Sequence, residues 1–421
     1  MNRLRATIAY IRSALWFVPL IAIPIELVLT RLLHDVDQRL GWTLLGLGTT
    51  GARAVLETTV TMTLSFLVFT FGSLLVAIQI AGGQLTPRII ATTLLRDNIV
   101  RYTVGLFVFS MMFAISALNR LETQVYQLVL LLAAGLFVMS MASFLYLIDY
   151  AARLLRPISI LTRVAETGLS VIENLYPEQA RRPDVALPAS PGLGAPNRIV
   201  AHAGTSLVIL AVELQELIAA SRAADGVVEM IPAVGDFVGK DEPLFALYGR
   251  AATIDDGVLQ AAVRFGAERT MEQDPTFSFR IVIDIALKAL SPAINDPTTA
   301  VLAIDQLQRL LRQVGKRQLS DESFLDEAGR LRVIFRTPNW DDFVNLAFSE
   351  IRRCGAGNFQ VARRLRAMIE NLMRTLPEHR HAALQQQLML LDREIDAHYS
   401  LPEDLALARG SDSQGLGGTK I

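Results

Sequence analysis

Residues 125–148 read VYQLVLLLAAGLFVMSMASFLYLI, without a single charged side chain. A helix needs about 20 mostly apolar residues to cross a hydrocarbon core of about 30 Å, so this stretch predicts a membrane span. Three runs upstream read the same way: ALWFVPLIAIPIELVLTRLL at about 14–33, VTMTLSFLVFTFGSLLVAIQIA at about 60–81 and YTVGLFVFSMMFAISAL at about 102–118. Residues 1–150 are therefore expected to form an α-helical membrane domain of four transmembrane helices. The lipid bilayer is its first partner.

Composition agrees. Of 421 residues, 52% are hydrophobic, and the excess lies in the first 150 positions. The remainder has the balance of an ordinary globular domain. The net charge of −1 gives no basic surface for nucleic acid. Cys354 is the lone cysteine, which excludes an internal disulfide framework and a cysteine-rich zinc site. No metal site and no cofactor are expected.

Arg3, Arg5 and Arg12 precede the first run, as in a signal peptide. The run is longer than a signal's apolar region and lacks a small-residue cleavage motif after Leu33, so it reads as a retained helix. Those arginines, with Arg88, Arg96 and Arg101 after the second run and Arg153, Arg156 and Arg163 after the fourth, outnumber the arginines of the opposite loops. The excess marks the cytoplasmic side. Four spans then place both termini in the cytoplasm of a bacterium, with the spans in the inner membrane.

Polar residues inside spans cost a few kcal/mol each on insertion scales. Glu26 lies in the first run, and Gln79, Gln84 and Arg88 lie at the exit of the second. Two readings of Glu26 are open: partial hydration at the outer interface, or the lining of a polar path between subunits. Thr59, Thr61, Thr63, Ser65 and Thr70 give the second run a hydroxyl-bearing character, which serves helix packing as readily as pore lining.

Beyond residue 150 a cytoplasmic α+β domain is expected. Residues 151–196 read as a juxtamembrane helix and linker, the linker rich in Pro and Gly from 181. Residues 197–250 read as a small β-rich module. Its turns at Gly235-Asp236 and Lys240–Pro243 resemble those of biotinyl- and lipoyl-like β domains, but Lys240 lacks the flanking residues of those carriers. Residues 251–400 read as a mainly helical part. Asp274-Pro275 and Asp296-Pro297 each set a capping acceptor before a proline at the first helical position, which predicts helices over about 275–290 and 297–314. A strand is expected within 330–338, then a helix over 340–353 capped by Asn339, and further helices over 358–375 and 378–398. The Gly/Ser-rich end, 401–421, is expected to be a disordered tail.

ERTMEQDPTFSFRIVIDIALKALSPAINDPTTAVLAI at 268–304 is similar to the signature stretch of the domain-of-unknown-function 2254 family of predicted bacterial membrane proteins. LLVAIQIAGGQLTPRII at 74–90 resembles that family's second-span exit, with Gly82 and Gly83 in place of small serines. Phe348–Arg352 with Gly355–Asn358 resembles its late helix-turn. The resemblance covers roughly residues 10–375. It implies a membrane location and brings no biochemical activity with it.

Within 268–299, Glu268, Arg269, Arg280, Asp284, Asn295 and Asp296 gather. Arg280, Asp284 and Lys288 share one helix face. One reading is structural, a charge ladder between capped helices. The other is a site for a small anion or metabolite, formed by Arg280 and the start of the 297–314 helix. No Walker loop, dinucleotide fingerprint, zinc-protease motif or nucleophile elbow appears, so no catalytic residue is assigned. Three classes of function remain. They are a homo-oligomeric channel or transport protein with a cytoplasmic regulatory domain, a non-enzymatic membrane sensor or scaffold, and a membrane-bound enzyme.

Overall fold

A computed structural model describes residues 16–40, 46–84, 97–121, 125–154, 156–180, 193–319 and 322–417. The chain divides into two units, residues 1–159 and 160–421.

Among the described residues, the first unit holds four long helices: α1 (Phe17–Leu40), α2 (Thr49–Gln84), α3 (Asn98–Asn119) and α4 (Gln127–Leu154). Each contains a stretch long and apolar enough to cross a membrane. The helices alternate in direction. A Cβ on Gly105 would meet Val18 Cγ1 at 2.6 Å, which pins the start of α1 to the start of α3. At the other end, Asp37 Oδ2 accepts from the amides of Leu128 (3.0 Å) and Val129 (3.5 Å), capping the start of α4. Phe66 of α2 stacks on Phe144 of α4 with centroids 4.5 Å apart, and the hydroxyls of Ser110 and Ser140 join α3 to α4 at 3.0 Å. The second helix begins at Thr49, not near residue 60. Ala52 and Leu56 pack there against Ala117, Val129 and Leu130, so tertiary burial extends a helix whose polar first turns hid it in the sequence.

In the second unit, α5 (Pro157–Leu175) buries Ile160, Leu161, Val164, Ala165 and Ile172 along one face. The strands are β1 (Arg198–Ala201), β2 (Leu207–Val212), β3 (Gly226–Met230), β4 (Phe237–Val238), β5 (Pro243–Gly249), β6 (Val263–Gly266), β7 (Ser323–Leu325) and β8 (Leu331–Phe335). They form a five-stranded sheet in the order β1-β5-β3-β8-β7 and a three-stranded sheet in the order β4-β2-β6. The sheets thus draw strands from beyond residue 250. Every pair is antiparallel except β3–β8, and a parallel pair needs a long crossover. That crossover includes α7 (Asp256–Ala261), α8 (Pro275–Ala289) and α9 (Pro297–Gly315).

An ion pair locks the parallel strands. The buried Arg332 guanidinium of β8 donates to Asp326 (2.8 Å) and to Asp225 (3.1 Å). Asp225 ends α6 (Leu214–Ala224) in the left-handed region, φ +53°. The Arg332 hydrogen bond, with the amides of Arg330 and Ala328, lowers the Asp326 carboxyl from 3.8 to about 2. A depressed carboxyl stabilises the fold above its unfolded value and stops doing so as pH falls through the folded one. Asp326→Asn should therefore be less stable at neutral pH. It should also lose less stability than the native chain on acidification from 3.8 to about 2. Thermal melts across that window check both.

The helices α8, α9, α10 (Trp340–Gly355), α11 (Phe359–Thr375) and α12 (His381–His398) pack through buried residues such as Phe279, Leu307, Phe343, Met368 and Leu391. Their starts follow the expected caps. Asp274, Asp296 and Asn339 each accept from the amide three residues on. The end of the chain departs from expectation. Pro402–Ala408 forms helix α13, and Arg363 of α11 donates to the carbonyls of Gly410 (3.2 Å) and Gly417 (2.9 Å). Asp412 closes that loop by accepting from the amides of Gln414, Gly415 and Gly417. Hydrogen bonds to an arginine almost 50 residues upstream hold a segment whose composition reads as disordered.

Candidate functional site

Two clusters were expected, and each is described within its own unit. In the membrane unit, Glu26 is fully buried, 0% exposed. It is thus turned into the unit and away from its outer face. Its Oε1 accepts from Thr30 Oγ1 at 2.7 Å, and its Oε2 has no hydrogen-bond partner. Gln79 is apart from it, exposed on α2. Arg88 lies outside the described residues, as does the side chain of Gln84. The hydroxyls of α2 are mostly spent on their own helix. Thr59, Thr61, Thr63 and Ser65 donate to carbonyls four residues back, which favours packing over pore lining.

In the second unit, the 268–299 stretch is a clasp. Arg269 pairs with the buried Asp274, donates to Thr276 Oγ1 at 3.0 Å and lies over the Phe277 ring. Its guanidinium fills the space where Gly235, at φ +92°, has no Cβ. Gln273 Oε1 accepts from the Val212 amide at 2.9 Å. Arg269 and Gln273 thus tie the start of α8 to the turn before β4 and to β2. Tyr176, buried beside Asp274, has its hydroxyl pushed above the usual range by burial, with the Asp274 charge adding to it. Glu268 stands exposed.

Arg280 is engaged by two carboxylates. Asp284 of its own helix accepts at 2.7 Å, and Glu350 of α10 pairs with it from across the layer. The start of α9 is filled from within: Asp296 accepts from the Thr299 amide (3.1 Å) and hydroxyl (2.5 Å). Asn295 is the left-handed residue before it, φ +47°, a conformation asparagine tolerates. The stretch therefore brings its charges together, but onto one another. Among the described residues, no three metal-ligating side chains gather.

The family profile described as a predicted membrane protein, DUF2254, matches residues 12–371. The chain belongs to the DUF2254 family. Two similar proteins are the uncharacterized protein Rv1290c of Mycobacterium tuberculosis and the uncharacterized protein Mb1321c of Mycobacterium bovis. Each is 26% identical over 430 aligned residues, covering 98% of this chain and 82% of the relative. No solved structure matches the chain.

For this DUF2254 protein, sequence reasoning missed four residues that organise the fold. Asp37 caps α4 from 91 positions away. Asp97 caps α3 and accepts from the Tyr150 hydroxyl at 2.6 Å. Glu350 completes the Arg280 pair, and Arg332 joins β8 to Asp225. For Asp37 one signal was available: it falls on the same face of α1 as Glu26 and Thr30.

Proposed function

We propose that this protein is an ion-transport protein of the bacterial inner membrane, working as a homo-oligomer, with residues 160–421 in the cytoplasm as its regulatory part. The observation that carries the reading is Glu26. A carboxyl buried in a span without a basic partner is expensive to keep, and among the described residues Glu26 caps no helix and joins no ion pair. Gln79 supports the oligomer. An amide on the outer face of a span is costly against lipid and is better placed against a neighbouring subunit. The arginine bias of the loops supports the orientation.

Purified protein in planar bilayers should pass ion currents; silence across voltages, salts and tensions would remove the reading. Gln79→Leu should change conductance more than the melting temperature in detergent. An equal fall in both would make Gln79 a packing residue instead.

A second reading, a sensor for a small anion or metabolite, draws on a separate feature. A polar cavity of about 470 Å³ in the second unit is lined by Lys316 and Arg317 with Gln179, Gln313 and Thr375. It would show as a thermal shift with phosphate or a carboxylate metabolite, lost in Lys316→Ala.

A further inference from the structure

We infer that Glu26 is a proton-binding site inside each subunit. The inference rests on the transport reading above and names the ion.

Glu26, Thr30 and Asp37 lie at i, i+4 and i+11, positions that share one helix face. All three are buried, at 0%, 1% and 5% exposure. Leu33, between them on that face, packs on the apolar cluster of α2, α3 and α4. Asp37 lies about 16 Å further along the helix from Glu26, where it meets the start of α4.

The surroundings of Glu26 decide the ligand. α1 packs mainly on α3 and α4. The titratable residues of α3 are Arg101 and Tyr102, at its start. Val18 against Gly105 sets the level of the two parallel helices, so Glu26 lies near the level of Phe113, roughly 17 Å beyond Arg101 and Tyr102. On α4 the titratable groups are Tyr146, Asp149, Tyr150 and Arg153, all in its final turns. On α1 itself, Arg31 and Asp35 are exposed. Arg39 is exposed too, and among the described side chains no cation neutralises the carboxylate. A hard metal ion gathers about six or more oxygens, and Glu26 with Thr30 offers three. A proton needs only the unpartnered Oε2. The Thr30 hydroxyl, bonded to Oε1, fixes the carboxyl so that Oε2 is the oxygen left to take it.

The test is infrared spectroscopy of the full chain in lipid vesicles, with ion flux read in parallel. A carbonyl stretch of a protonated carboxyl should appear in the native protein, diminish on alkalinisation and be missing from Glu26→Gln, whose amide keeps the Thr30 bond. Thr30→Val should shift that band to higher frequency, since it loses one hydrogen bond. A Glu26-dependent band that titrates, with proton flux abolished in Glu26→Gln, is the expected result. No Glu26-dependent band at any pH, or one that never changes with pH, would overturn the inference. Flux of other ions without the band would do so too while leaving transport standing. A titrating band without any flux would uphold proton binding and remove the transport reading.

Discussion

Asp274→Ala is expected to destabilise the second unit by about 2–4 kcal/mol. Its side chain is 4% exposed and serves three donors: the Arg269 guanidinium, the Thr276 hydroxyl at 2.6 Å and the Phe277 amide at 3.1 Å. Loss of the cap alone costs about 1 kcal/mol. The rest comes from Arg269, which would keep its charge against Phe277 and Gly235 with no carboxylate. Arg269 is partly exposed, which holds the estimate below the full cost of breaking a buried pair. Asp296→Ala is the control, because Asp296 caps α9 without holding an arginine. It should cost about 1 kcal/mol. Denaturant unfolding of the full chain in detergent measures both, and equal effects would mean that the clasp contributes nothing beyond a cap.

Gly226→Ala should be at least as damaging, about 3 kcal/mol or more. A Cβ there would meet the Ala251 amide nitrogen at 2.2 Å and the Tyr248 carbonyl oxygen at 2.7 Å. Both are backbone atoms, so no side chain can move aside. Gly226 begins β3 opposite Gly249 in the central pair of the larger sheet, and its carbonyl accepts from Ser221 and Arg332. The substitution should lower expression and melting temperature together. Gly249→Ala sets the scale. Its φ of +61° with ψ −138° is a conformation essentially reserved for glycine, but the space around it is open, so about 1–3 kcal/mol of backbone strain is expected without a clash.

These substitutions show where sequence reading succeeds. The four helices long and apolar enough to cross a membrane were legible because a bilayer demands long uncharged runs. The caps at Asp274, Asp296 and Asn339 were legible because cap and amide lie three residues apart. The 49–59 extension of α2 was not, since TTGARAVLET carries no apolar run and its burial depends on Ala117 and Leu130. The Arg280–Glu350 and Arg332–Asp225 pairs link residues 70 and 107 positions apart, which no local pattern reveals. The signature stretch was found by its resemblance to the family, and its polar groups were noted within it. Its role as a clasp needed Gly235 and Val212, which only folding brings to it.

The proposed topology has the chain cross the inner membrane four times and keep residues 160–421 in the cytoplasm. The protein carries its own probe: Cys354, the sole cysteine, is exposed on α10. A membrane-impermeant maleimide should leave it unmodified in intact spheroplasts and label it once they are permeabilised. Asn119→Cys, at the end of α3 and made with Cys354→Ser, should react before permeabilisation. Labelling of Cys354 in intact spheroplasts, or protection of the cysteine at position 119, would contradict the account.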